Sequence, residues 1–359
     1  MSIDAVNIHQ LEAPARERLS ESIWNYVAGG AGDEHTLHWN DEAWQQIRLA
    51  PRVLVDVSQL DTSLRLLGHD LAHPLLVAPT AAQRNYHPGA ESATRQGVTA
   101  AGGLAVMSTL GSTPLEEVGA AAPGPWWFQL YVQSDRTYTE ALIHRAVEAG
   151  ATGLVLTVDT PLLGARDRDR RLGGHTVDDL APANLDDAPA SYELPDEPTP
   201  LQRVYNRHLD PSLTWHTLDW LVDVSPVPVL AKGVLRSDDA ERCVDHGVSG
   251  VIVSNHGARN LDTVPATAEA LPRIVRAVDR QVPVLVDGGI RRGTDVAKAL
   301  CLGADAVLVG RPVVWGLAVA GETGARWVLE TLWSELAMAM GLLGAPRVSD
   351  LTADLIWRD

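Results

Sequence analysis

The stretch VPVLVDGGIRRGTDVAKALCLGADAVLVGR, Val282–Arg311, holds two short runs of aliphatic residues on either side of an amphipathic segment. Each run is too apolar to face water on either side, so both read as strands buried within a sheet. Between them GTDVAKALCLG repeats its apolar residues at three-to-four spacing, the period of a helix. The same alternation extends outward in both directions. LLVAPT (75–80), GLAVMS (103–108), WWFQLYV (126–132), GLVLTVD (153–159), VPVLAKG (227–233) and GVIVSN (250–255) add six candidate strands, and segments such as TYTEALIHRAVEAG and TAEALPRIVRAVD add helices. Eight buried strands alternating with helices predict an α/β fold, a parallel (β/α)8 TIM barrel. A doubly wound open sheet is the alternative, since it shares the alternation but need not stop at eight.

Two segments stand outside the repeat. Residues 1–70 precede the first barrel strand and carry a helical pattern through WNYVAGG, which predicts an N-terminal helical flank on a single domain spanning 1–359. Residues 165–210 follow the fourth strand and are polar and rich in Pro and Asp, which predicts a lid loop or a tolerated surface insertion.

Composition narrows the function classes. With 359 residues, 45% of them hydrophobic, the chain can bury a large core. Its formal net charge of −17 disfavours nucleic acid, whose backbone is bound through Lys and Arg. The N-terminal stretch has no apolar core flanked by basic residues, and no apolar run reaches the length of a membrane span, so neither secretion nor insertion is expected. Two cysteines, Cys243 and Cys301, are too few for a disulfide framework, and a reducing, cytoplasmic location is expected.

The polar chemistry gathers where strands end. Pro79-Thr80-Ala81, Ser108, Gln129 with Tyr131, Thr157 with Asp159, Lys232, Ser254 with His256 and Arg259, Asp287-Gly288-Gly289 with Arg291, and Gly310-Arg311 each follow an apolar run. In a barrel these ends converge on one face, where the active sites of this fold lie. DGGIRRG and GR follow the last two strands, the usual phosphate site of such barrels, and glycine lets a backbone approach an anion while Arg offers it a planar fork. Lys232, at the end of a buried strand, needs an anion, an electron-rich ring or a salt bridge. His256 suits proton transfer near neutral pH, Asp159 can orient its ring, and Arg166 with Arg259 can clamp a carboxylate.

These residues, with AGGAGDEHTLHWN, LAPRVLVDVSQLD, APTA, FQLYV, LTVDTPLLGARDRDRR, VSNHGARNLD and DGGIRRGTDVAKALCLGADAVLVGRPVVW, resemble the FMN-dependent 2-hydroxy acid oxidases and dehydrogenases from about Tyr26 to Arg347. The resemblance implies FMN with its phosphate on Gly288, Gly289, Arg291, Gly310 and Arg311. It implies Pro79, Thr80, Ala81, Ser108, Gln129, Thr157 and Ser254 around the flavin, and Lys232 beside its N1 side. It further implies His256 as base with Asp159 as partner, Arg166 and Arg259 on the substrate carboxylate, and Tyr26 and Tyr131 as donors to substrate. A small-molecule 2-hydroxy acid as substrate, and a homo-oligomer, a tetramer by this resemblance, follow from the same likeness; no metal is expected. Oxygen is the expected electron acceptor, with a quinone or protein carrier, or a tailoring oxidase of an unusual substrate, as alternatives. The chain departs from the family pattern at Asn85-Tyr86, where small or apolar residues are usual, at Leu110, often aromatic, and at Asn260, where Gln is frequent. Those positions bear on the substrate.

Overall fold

Among the described residues of the computed structural model, eight of the ten strands close on themselves. After a short antiparallel hairpin, β1 (Leu64–Leu66) and β2 (His69–Leu71), the barrel runs β3 (Leu75–Val77), β4 (Leu104–Ser108), β5 (Trp126–Leu130), β6 (Leu154–Thr157), β7 (Val229–Val234), β8 (Gly250–Val253), β9 (Val284–Val286) and β10 (Ala306–Val309). Every barrel pair is parallel, and β10 returns to β3 in the register Val307 to Leu75, which removes both sheet edges. The structure describes residues 3–174, 182–185, 187–193, 195–206 and 208–358.

The two-residue period of a strand sorts its side chains. Leu76, Leu104, Val106, Trp127, Val155, Leu230, Ile252, Leu285 and Leu308 fill the barrel interior, whereas Val77, Ala105, Phe128, Leu156, Ala231 and Val253 pack outward against the helices. Leu66 and Leu71 of the hairpin join the interior cluster and so close the end of the barrel where the strands begin. The hairpin is absent from the sequence-based reading, because three-residue strands carry too little pattern to register.

The N-terminal flank is helical as expected, with helices Glu12–Arg18, Glu21–Ala28 and His35–Gln46. Asn40 on the last of these exchanges amide hydrogen bonds of 2.9 and 2.8 Å with Asn255, just past β8. Trp44 donates to the carbonyl of Gly288 at 2.8 Å. The flank thus braces the loops at the C-terminal end of the barrel. A 33-residue helix, Arg311–Leu343, follows β10 and breaks its regular backbone at Ala320 and Gly321.

Of the expected lid, residues 175–181, 186, 194 and 207 lie outside the described residues. Its described part begins with a short helix, Asp167–Arg170, and continues to Ala183 and Asn184, which hydrogen-bond the loop after β4 through Gly111 and Leu115. Cys243 and Cys301 are buried free thiols on separate helices, and burial pushes each up to about 12. Among the described residues, no helix is long and apolar enough to cross a membrane.

Candidate active site

All eight barrel strands feed one cavity at their C-terminal ends. From β3 come Pro79, Thr80 and Ala81, from β4 Ser108, from β5 Gln129 and Tyr131, and from β6 Thr157 and, farther on, Arg166. Lys232 enters from β7, His256 and Arg259 from β8, Asp287, Gly288, Gly289 and Arg291 from β9, and Gly310 and Arg311 from β10. Tyr26 reaches it from the flank. Asp159 and Ser254, the two remaining candidates, stand one layer back and hold residues that line the cavity.

One end is cationic. Arg311 is pulled down to about 9, first by burial and then by the nearby charges of Arg259 and Arg291. Like charges gathered in a buried space call for an anion. Arg311 donates to the carbonyls of Val27, Gly257 and Gly29, and Arg291 lies over the ring of Trp315, so both forks are held in place. The glycines here answer to packing. A Cβ on Gly289 would sit 2.1 Å from the Asn40 carbonyl oxygen, and one on Gly288 2.9 Å from Thr267 Oγ1. Both glycines also have positive φ, +76° at Gly289 and +94° at Gly288.

Lys232 forms the salt bridge that one sequence-based reading allowed. Its Nζ lies 3.0 Å from Asp287 Oδ2 and donates to Ser254 Oγ at 2.9 Å, while the side chain also borders the cavity. Gln129 accepts from Ser108 and donates to Thr157, which ties three strand ends into one polar wall. Among the described residues, Asp287 Oδ1 is a buried acceptor without a partner.

At the other end, Asp159 Oδ1 lies 2.9 Å from His256 Nδ1. Burial raises the Asp159 carboxyl, but the charge and hydrogen bond of His256, with help from Lys232, outweigh this and hold it below its ordinary value. A carboxylate only accepts, so Nδ1 carries hydrogen and the other ring nitrogen is the one left to the cavity. His256, Gly257 and Ala258 are all left-handed, with φ of +57°, +60° and +61°. Such a turn is strained at its two non-glycine residues, and the strain is held by bonds from His256 N to Ser254 Oγ and from Ala258 N to Asn255.

Arg166 and Arg259 flank the same aromatic ring, their guanidinium carbons 5.2 and 4.9 Å from the centroid of Tyr26. Arg259 is pulled down by burial and by Arg166, and its Nη1 donates to the Tyr26 carbonyl at 2.6 Å. Burial and Asp159 push the Tyr131 phenol well up, so it remains a donor at neutral pH.

Two positioning residues, Thr160 and Asn40, were missed from sequence, and a third, Asn260, was noted there only as a departure from the family pattern. Thr160 bridges Asp159 and His256, Asn260 donates to the Asp159 carbonyl and to Thr160 at 2.9 and 2.7 Å, and Asn40 holds the β8 loop. Thr160 and Asn260 had a signal, since both adjoin candidate residues in chain order. Asn40 had none, because its partner lies 215 positions away.

The sequence pattern of the FMN-dependent dehydrogenases matches residues 15–358. The chain is 44% identical to an L-lactate oxidase of Nostoc sp., over 98% of both chains. It is equally 44% identical to a peroxisomal (S)-2-hydroxy-acid oxidase of Oryza sativa subsp. japonica, over 97% of this chain and 94% of the relative. Among solved structures, it resembles a soluble mutant of the membrane-associated (S)-mandelate dehydrogenase of Pseudomonas putida, with TM-score 0.90 and 35% identity over 99% of this chain and 100% of the other. A mandelate oxidase variant superposes with TM-score 0.85 at 39% identity, over 97% of each chain.

Proposed function

The chain belongs to the FMN-dependent dehydrogenase family, an oxidoreductase family that acts on 2-hydroxy acids, and from that premise we propose that it oxidises an L-2-hydroxy acid to the 2-oxo acid with His256 as base and oxygen as electron acceptor. The observation that carries this reading is the pairing of His256 with Asp159 in the same cavity as the two guanidiniums that flank Tyr26.

The cavity's donor set fits FMN. Arg291 and Arg311, with the glycine loops after β9 and β10, would hold the phosphate. Pro79, Thr80, Ala81, Ser108, Gln129 and Thr157 would border the flavin, with Lys232, held by Ser254 and Asp287, supplying positive charge. When bound, FMN accepts the electron pair that leaves the substrate carbon.

The remaining work belongs to side chains. Arg166 and Arg259 bind the carboxylate and fix the substrate's orientation. Tyr131 and Tyr26 donate to its oxygens. Nε2 of His256 takes a proton from the substrate, and Asp159 stabilises the resulting imidazolium. Arg166 opens the segment 165–210, read here as a lid that excludes water; the bonds from Ala183 and Asn184 to the loop after β4 support that reading. Buried free thiols at Cys243 and Cys301 accord with a cytoplasmic location.

The test is anaerobic mixing of the FMN-loaded protein with a panel of 2-hydroxy acids, followed by admission of oxygen. Bleaching of the flavin by an L-2-hydroxy acid is expected, with rapid reoxidation. Bleaching with sluggish reoxidation would replace oxygen by a quinone or protein carrier, and no bleaching by any member would overturn the reading.

A further inference from the structure

Tyr86 is a large aromatic side chain on the cavity wall that the proposed chemistry does not use. It is buried, with 7% of its surface exposed, and borders the same cavity as Arg166, Arg259 and Tyr26. Its hydroxyl donates to the Ala81 carbonyl at 3.0 Å. The polar end of the side chain is thereby satisfied by its own loop, and the ring is left as an apolar surface of fixed position.

The loop that carries it has little freedom. Ala82 N donates to the Leu110 carbonyl at 3.0 Å, and Arg84 N to Ser112 Oγ at 2.9 Å. The buried Glu91 carboxylate accepts from Gln83 N on one side and from Ser112 N and Thr113 Oγ1 on the other. The loops after β3 and β4 therefore form one braced wall, and a ring mounted on it cannot swing aside without breaking several buried bonds.

The substrate's four α-substituents divide the space. With the carboxylate on Arg166 and Arg259 and the hydroxyl and hydrogen of the α-carbon taken up between His256 and the side of the cavity that would hold the flavin, the side chain is left with the apolar wall of Ala81, Tyr86, Leu110 and Leu163. Tyr86 has the largest side chain of these four. We propose that Tyr86 sets the length of the substrate side chain, confining the enzyme to 2-hydroxy acids with short aliphatic side chains and excluding aryl ones. The inference rests on the carboxylate and proton assignments of the proposed function, and its test must be separable from theirs.

Binding without turnover provides that separation. Pyruvate and phenylglyoxylate, titrated into the oxidised FMN-loaded protein and followed by the flavin spectrum, report side-chain size independently of proton transfer. The parent is expected to bind pyruvate with preference, Tyr86→Ala to shift the preference toward phenylglyoxylate by roughly 10-fold or more, and Tyr86→Phe to retain the parent's preference because the ring persists. Parent protein that binds phenylglyoxylate as tightly as pyruvate would overturn the proposal, and this result needs no variant to fold. An unchanged preference in FMN-loaded Tyr86→Ala would overturn it as well. Failure of the proposed function looks different: no 2-hydroxy acid bleaches the parent's flavin, whatever the binding preference.

Discussion

Oδ1 of Asp159 and Nδ1 of His256 meet at 2.9 Å across the ends of β6 and β8, with Thr160 Oγ1 bonded to both. The contact fixes which ring nitrogen faces the cavity. His256→Ala is expected to keep its FMN and to bind a 2-oxo acid, yet to reduce its flavin on the order of 10²–10⁴-fold more slowly with the substrate. Anaerobic stopped-flow reduction measures this, and a parent-like rate would remove His256 from the role of base.

The same contact sets a pH signature. Asp159 titrates in the folded protein below its ordinary value of 3.8, so its charged form contributes stability that is complete above that value and is lost as the pH falls through the depressed one. Asp159→Asn lacks this contribution. Thermal unfolding of parent and variant is expected to differ near neutral pH and to converge as the pH drops below 3.8. A gap that widens on acidification would contradict the assigned sign.

Gly233 makes room for Asp159. Its φ is +112°, and a Cβ there would lie 2.5 Å from the Asp159 carboxyl carbon. Gly233→Ala is expected to destabilise the fold by ~1–3 kcal/mol from backbone strain alone and to displace the carboxylate as well. Urea unfolding should register the first effect and slowed flavin reduction the second.

Arg291→Gln separates the two ends of the cavity. Loss of one charged fork at the phosphate should weaken FMN binding by roughly 1.5–3 kcal/mol, about 10–100-fold in Kd. Flavin released on gel filtration, quantified by absorbance, reports it. The molecules that keep FMN should reduce it at the parent rate, since Arg291 is placed away from the proton chemistry, and a large rate loss in that fraction would argue against this division of labour.

The strands and the face on which chemistry gathers were legible in the linear chain for a local reason. A strand buried on both faces must be apolar throughout, so the runs at 75–80, 153–159 and 282–289 announce themselves, and the polar residues that end them mark where the chain leaves the core. Parallel connection then sends all these ends to one side, which is why Lys232, His256, Asp287 and Arg311 could be grouped without coordinates.

What sequence could not supply depends on approach between segments distant in the chain. Asn40 pairs with Asn255 across 215 positions, and Gly289 must lack a side chain because the helix carrying Asn40 presses against it, a reason absent from the sequence-based reading. Tyr86 was visible as a departure from the family's pattern. Its burial, its hydroxyl's bond to Ala81 and its place on the cavity wall depend on the loops after β3 and β4, braced together by Glu91. The amino-acid sequence by itself determined the barrel and the face on which its polar side chains gather, because both follow from hydrophobic period and residue chemistry within short windows, whereas the cofactor class came from the likeness of its motifs to a known family. Tertiary structure alone decided how those side chains are held and how the substrate space is bounded, because packing distances between remote segments leave no periodic trace in the chain.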